Sequence, residues 1–197
     1  MDIAIVDTGC ANLASVKFAF DRLGAESVVT QDPGTIYGAP RVILPGVGSA
    51  GYAMDQLRER ELIPVIQNLV QPVLGICLGM QLIFDRSEEG DIEGLGMVDG
   101  NIEMLNTGDL PSPHMGWNKL SDLADDPLLA GIGEGDYAYF VHSFAAPIST
   151  KTIASATYGS TFSAIVRQGN VYGCQFHPER SAKTGAKIFK NFLKVSA

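Results

Sequence analysis

Two residues in this chain have neighbours that suit them to chemistry, Cys77 and His177. Cys77 stands between Gly75 and Gly79 at the end of the apolar run Val73-Leu74-Gly75-Ile76, and Met80-Gln81-Leu82-Ile83-Phe84 behind it starts a helical pattern. Strand, tight turn, reactive side chain and helix make a nucleophile elbow, which holds its side chain at the mouth of a sheet. The glycines permit a strained turn and close packing of helix on strand. Free amides at the helix start would favour a thiolate and stabilise an oxyanion. The alternative is a structural thiol, since unpaired cysteine is among the most buried residue types.

Gln175-Phe176-His177-Pro178-Glu179 offers what such a thiol needs. His177 is a candidate base, and Glu179 a candidate partner that orients the imidazole and stabilises its cation. Pro178 restricts the backbone between them. A histidine at a strand end can equally be a plain turn residue. Pro45-Gly46-Val47-Gly48 also follows a predicted strand. Its Val47 amide, with that of Leu78, would form an oxyanion hole; a tight bend with no chemistry is the other reading. The glycine spacing, with no lysine, does not match a phosphate cradle.

The elements that must position these groups alternate along the first half. Strands are predicted at Ile3 to Val6, Ser27 to Thr30, Arg41 to Leu44 and Val73 to Ile76. Helices are predicted from Asn12 to Gly24, Ser49 to Arg60 and Ile63 to Val70, with a turn at Asp32-Pro33-Gly34. Such alternation implies an α/β fold: a three-layer, open, mixed but mostly parallel sheet with helices on both faces. After Ser87 the pattern changes. Gly90 to Gly96 reads as loop, and Met97 to Leu105, Asn118 to Leu120, Tyr137 to His142, Thr152 to Tyr158, Phe162 to Gln168 and Val171 to Phe176 read as short strands continuing the sheet. A last helix is expected from Ser181 to Lys194, with Ala182, Ala186, Phe189 and Leu193 as its inner stripe.

The 197 residues, 46% hydrophobic and 18% charged, suit one domain spanning 1–197 with a full core. A net charge of −8 argues against a general nucleic-acid binder. Cys10, Cys77 and Cys174 form no CxxC pair and no disulfide framework, so a reducing, cytoplasmic setting is expected. The first residues lack a basic region and cleavage site, and no apolar run reaches membrane-span length. The cysteine and histidines show no metal-ligand spacing, so neither metal nor cofactor is expected.

Gly75-Ile76-Cys77-Leu78-Gly79-Met80-Gln81 together with His177-Pro178-Glu179 resembles the paired motifs of class I, triad-type glutamine amidotransferases. Pro45–Gly48, Pro113-His114-Met115-Gly116-Trp117-Asn118, Tyr139-Phe140-Val141-His142-Ser143, Gln175–Ser181, and Asp7-Thr8-Gly9 with Asn12–Val16 narrow the likeness to the family of glutaminase subunits of imidazole glycerol phosphate synthases. The resemblance implies that Cys77 attacks the side-chain amide of L-glutamine, that His177 and Glu179 complete a triad, and that Val47 and Leu78 serve the oxyanion. Gly48, Gln81 and the Ser143-Phe144 backbone would bind substrate. Many relatives have Tyr where this chain has Phe144; a backbone contact survives that change, and a hydroxyl role does not. Cys10 is assigned no chemistry.

The implied partner is a cyclase subunit with a TIM barrel, in a heterodimer. It would use the ammonia to make imidazole glycerol phosphate and an aminoimidazole carboxamide ribonucleotide in histidine biosynthesis. Asn12, Met115, Trp117, Tyr137, Tyr139, Arg180 and Lys183 are the expected docking face. Core packing is the alternative for Trp117, and an ordinary solvated first helical turn for Arg180 and Lys183. The Pro45–Gly48 turn is expected to rearrange before its amide faces the oxyanion. A glutaminase of the same fold serving another synthase or acting as a free γ-glutamyl hydrolase, and a subunit that keeps the fold without catalysis, are the competing readings.

Overall fold

The computed structural model describes residues 1–9 and 12–196; Cys10 lies outside the described residues. The chain runs β1 (Ile3–Val6), α1 (Leu13–Asp21), β2 (Ser27–Thr30), α2 (Pro33–Gly38), β3 (Val42–Gly46), α3 (Ala50–Glu59), α4 (Ile63–Gln67), β4 (Val73–Cys77) and α5 (Leu78–Leu82). It continues through β5 (Phe84–Ser87), β6 (Ile92–Glu93), β7 (Val98–Met104), β8 (His114–Lys119), β9 (Tyr137–His142), β10 (Phe144–Ala145), β11 (Thr152–Tyr158), β12 (Ser160–Gln168) and β13 (Val171–Cys174) to α6 (Ala182–Phe192).

Among the described residues the main sheet has seven strands, in the order β11-β12-β13-β4-β3-β1-β2. The run from β13 to β2 is parallel, and β11 and β12 pair antiparallel beside it. β1, β3, β4 and β13 are buried along their whole length, as strands covered on both faces must be. Their alternate residues go to opposite layers. Ile3, Ile5, Ile43, Leu74 and Ile76 join one core with α1 and α6, where Phe20 and Phe189 have ring centroids 4.4 Å apart. Val6, Val42, Leu44 and Val73 join the other, with Met54 and Leu57 of α3 and Val65 and Ile66 of α4. The expected three-layer α/β architecture is therefore present, with β4 at the centre of the sheet. Among the described residues no helix is long and apolar enough to cross a membrane.

The second half departs from the expectation of one continuous sheet. β10-β7-β5-β6 form a separate four-stranded sheet, and β8 and β9 an antiparallel pair. The helix after the elbow is also shorter than its apolar pattern suggests. It stops at Leu82 because the carbonyls of Leu82, Ile83 and Phe84 accept from Leu95 (2.7 Å), Met97 (2.8 Å) and Gly96 (3.0 Å) instead of continuing a helical ladder. Phe84 thus opens β5, and the stretch read as loop contains β6. Asp32-Pro33-Gly34 is a helix start rather than a turn: the Asp32 carboxylate accepts from the Thr35 amide at 2.7 Å, with Pro33 in the first turn.

The inner face of α6 is rotated from the predicted stripe. Thr184, Gly185, Ile188, Phe189 and Phe192 are buried, whereas Ala182 and Ala186 are exposed. Gly185 explains the rotation. A Cβ there would lie 1.8 Å from the Pro178 carbonyl oxygen, so only the glycine face can settle onto the His-Pro-Glu turn.

Candidate active site

Cys77 closes β4 with φ 53° and ψ −110°, outside the regions open to ordinary side chains. Three glycines press the elbow against its neighbours. A Cβ on Gly79 would fall 1.7 Å from the Leu44 carbonyl oxygen, one on Gly75 2.6 Å from the Gly79 oxygen, and one on Gly46 2.9 Å from the Gly79 nitrogen. Backbone thus rests on backbone where α5 leaves β4 and crosses β3, and Gly46 pairs with Cys77 in the register of β3 and β4.

β13 pairs in parallel with β4 on its other side, Cys174 opposite Ile76, so the chain leaves β13 at the end of the sheet where Cys77 sits. His177 follows. Its Nδ1 lies 2.8 Å from Glu179 Oε1, with the two side chains 10% and 4% exposed. The imidazole is also hydrogen-bonded to Cys77. With Nδ1 engaged by Glu179, Nε2 is the nitrogen left for the sulfur. Burial disfavours the imidazolium, but the hydrogen bonds to Cys77 and Glu179, and the charges of both, outweigh it and raise the pKa from 6.5 to about 10. His177 therefore carries its proton at neutral pH. Cys174, fully buried, has its thiol pushed far up by burial and by the Glu179 charge, and stays protonated.

β9 braces both groups from above. The His177 amide donates to the Tyr139 carbonyl at 2.9 Å, and the Ser181 hydroxyl donates to the His177 carbonyl (2.7 Å) while accepting from the Tyr139 amide (2.9 Å). Two residues further on, the Val141 carbonyl lies 3.7 Å from Cys77 Sγ.

These groups open into a cavity of about 310 Å³ that also reaches Leu78, Val47 and Gly48. Its far wall is Ser143, Phe144, Gln81 and Glu89. Both hydrogens of the Gln81 amide are committed within the protein, to the Phe144 carbonyl (2.9 Å) and to Gln175 Oε1 (3.1 Å). Only the Gln81 oxygen, an acceptor, is left uncommitted by these bonds. Glu89 was not singled out by sequence. Its carboxylate accepts from the Ala50 amide at 3.0 Å and caps α3, because Ser49 makes no side-chain cap of its own. No local motif announces a cap supplied from so far along the chain.

The expected docking residues fall mostly on one face. Met115, Trp117 and Tyr137 are exposed on β8 and β9, which removes core packing as the account of Trp117. Trp117 pairs with Tyr139 across the strands at 5.9 Å between ring centroids, and the Arg180 guanidinium sits 4.8 Å above the Tyr139 ring. Lys183 is exposed in the first turn of α6. Asn12 is exposed and caps α1, accepting from the Ser15 amide at 3.3 Å.

The chain's three histidines fix a pH optimum for stability. The proton on His177 is held more tightly in the folded state, so its contribution is complete below pH 6.5 and is lost as pH rises towards 10. Burial pushes His114 down to about 4 and His142 down to about 3, so their contribution is complete above pH 6.5 and is lost as pH falls through 4 towards 3. The thermal midpoint is expected to peak near pH 6.5 and fall on both sides. A midpoint still rising from pH 7 to 9 in scanning calorimetry would contradict the His177 assignment.

The sequence model of the family described as Glutamine amidotransferase class-I matches residues 4–195. Imidazole glycerol phosphate synthase subunit HisH 1 of Vibrio vulnificus (strain YJ016) is 52% identical, with 98% of each chain covered. Subunit HisH of Yersinia pseudotuberculosis serotype I (strain IP32953) is 51% identical, covering 99% of this chain and all of the other. Among solved structures, a glutamine amidotransferase superposes with a TM-score of 0.77 at 17% identity over 98% of both chains. PurLQS from Thermotoga maritima superposes with a TM-score of 0.70 at 20% identity, covering 98% of this chain and 97% of that one; both are likenesses of fold.

Proposed function

Because the chain belongs to the class I glutamine amidotransferases, we propose that it is the glutaminase subunit of an imidazole glycerol phosphate synthase, releasing ammonia from L-glutamine in histidine biosynthesis. The observation that carries this reading is the line Cys77–His177–Glu179, with Cys77 and His177 lining a cavity large enough for an amino acid and Glu179 buried behind them. Identity of about half over the whole length of subunits with that name supports the particular synthase.

In this reading the Cys77 sulfur attacks the side-chain amide carbon of glutamine. The amides of Leu78 and Val47 receive the charge on the former carbonyl oxygen. The carbon–nitrogen bond breaks as His177 gives its proton to the departing nitrogen, leaving ammonia and a γ-glutamyl thioester. Water adds to the thioester, His177 takes its proton, and cleavage of the carbon–sulfur bond frees glutamate. Glu179 holds the ring through Nδ1 and stabilises its cation in both halves. At the far wall the Gln81 oxygen and the Glu89 carboxylate accept from the substrate α-ammonium, while Gly48 and the Ser143-Phe144 backbone border its carboxylate.

The partner is a cyclase subunit, in our reading a TIM barrel forming a heterodimer over the Met115, Trp117, Tyr137, Tyr139 and Arg180 face. A central aromatic and arginine cluster of this kind supplies the anchors of many interfaces. β9 carries Tyr137 and Tyr139 outward and touches His177 and Cys77 inward, so docking bears on the strand that braces the catalytic groups. Pro45 and Gly46 are fixed in β3, but beyond them Val47 is 39% exposed and Gly48 has φ 94°, so the Val47–Gly48 peptide has little packing to resist a rotation. Glutamate formation is expected to be slow for the chain alone and to rise at least tenfold when the cyclase and its nucleotide ligand are present. Equal rates in all arms would refute control by the partner, and no glutamate in any arm would refute the glutaminase assignment.

A further inference from the structure

Two of the three histidines have no part in the chemistry above, yet both are buried beside the cavity. His114 on β8 and His142 at the end of β9 are paired across the strands, with His114 Nδ1 3.0 Å from His142 Nε2. His142 Nδ1 lies 2.8 Å from the Phe144 carbonyl oxygen, and Asn118 Nδ2 lies 3.3 Å from His114 Nε2.

The proton positions follow from one end. A carbonyl only accepts, so His142 Nδ1 carries hydrogen and its Nε2 is an acceptor. His114 must then donate from Nδ1, and its own Nε2 accepts from Asn118. Asn118 is set for this, because its amide also donates to the Thr157 carbonyl (2.9 Å) and its oxygen accepts from the Lys119 amide (2.8 Å). Every bond points the same way, from Asn118 through His114 and His142 to the Phe144 carbonyl. That oxygen also receives Gln81 Nε2 at 2.9 Å, which fills its two acceptor sites. The rings cannot turn easily: His114 is stacked by Tyr158 (4.1 Å) and Phe140 (5.0 Å), and Phe162 meets His142 edge-on at 4.8 Å. Burial keeps both imidazoles neutral in the neutral range, as the two-way bonding requires.

We propose that Asn118, His114 and His142 form a positioning relay that fixes the Phe144 carbonyl, and with it the Ser143-Phe144 wall of the glutamine pocket. The proposal rests on the glutaminase reading of that pocket. Removing the His114 donor leaves His142 Nε2 a buried acceptor with nothing to accept. The ring is then held at one nitrogen only, and a tilt that brings Nε2 to water or another donor draws the Nδ1 hydrogen away from the Phe144 carbonyl. The damage falls on glutamine binding and leaves the reactivity of Cys77 in place.

His114→Phe keeps the stacked ring and deletes the donor. In the complex with the cyclase it is expected to raise KM for glutamine about tenfold or more, the scale of one buried acceptor left unpaired, with kcat changed far less. Alkylation of Cys77 by iodoacetamide should stay at the wild-type rate. His114→Asn loses the ring but returns an N–H near the Nδ1 position, and should recover most of the KM. A role in packing alone gives the reverse order, His114→Phe near wild type and His114→Asn impaired, and that order overturns the relay. A wild-type complex that does not turn over glutamine refutes the glutaminase reading and the relay with it. Nitrogen NMR of the unmodified protein at pH 7 is an independent check. Both rings should be protonated at Nδ1, and a hydrogen on Nε2 of either overturns the proposal.

Discussion

Cys77→Ala is expected to reduce glutamine hydrolysis by about 10⁴-fold or more, the scale seen when a triad loses its nucleophile, while the protein still folds and binds its partner. The more telling comparison is with Cys77→Gly, which is just as inactive. Position 77 has φ 53° and ψ −110°, a conformation that costs a residue with a side chain about 1–3 kcal/mol. Alanine keeps that strain and glycine relieves it. Glycine loses more chain freedom on folding, a cost of about 0.5–1 kcal/mol. Cys77→Gly should nevertheless be the more stable of the two inactive proteins, by about 1 kcal/mol in urea unfolding. The reverse order would mean that the elbow holds its thiol without strain.

Gly79→Ala should have the largest effect on stability. The added Cβ would sit 1.7 Å from the Leu44 carbonyl oxygen, and the obstacle is the backbone of a buried strand rather than a side chain able to swing aside. Either α5 lifts from β3 or the β3–β4 pairing opens. The cost is expected at about 3 kcal/mol or more, the upper end for forced overpacking. It would appear as a lowered urea midpoint or loss of folded protein. A control at Gly24, where a Cβ meets nothing within 4 Å but φ is 73°, isolates the backbone cost from the collision. If Gly79→Ala were no worse than Gly24→Ala, close approach would not be what the elbow glycine provides.

What could be read from the sequence was whatever short-range pattern sets. The elbow is written in nine consecutive residues, and the His-Pro-Glu turn in three, because glycine and proline restrict the backbone where they stand. The alternating strands and helices of the first half follow from apolar period alone. Most of the failures come from a partner outside the element itself; the start of α2 is the exception, set by a local cap of Asp32 on Thr35 that reads equally well as a turn. α5 ends early because Leu95 to Met97 take its carbonyls, and α6 turns its glycine inward because Pro178 is there. His114 and His142 are 28 residues apart, and only the register of β8 and β9 reveals them as a pair. Glu89 reaches the site through a cap on a helix that begins at Ala50.

The position of β13 in the sheet has a consequence for how the protein is made. β4 pairs with β3 on one side and β13 on the other, and His177 follows β13, a hundred residues after Cys77. During synthesis, strands β1 to β4 leave the ribosome first and can begin to pair while β13 does not yet exist. The nascent chain therefore carries the thiol on its elbow for more than half of its synthesis with no imidazole to share a proton. Reactivity arrives when β13 docks against β4, the last pairing to complete the sheet. A half-made chain thus has no group placed to protonate the departing nitrogen, and it hydrolyses no glutamine.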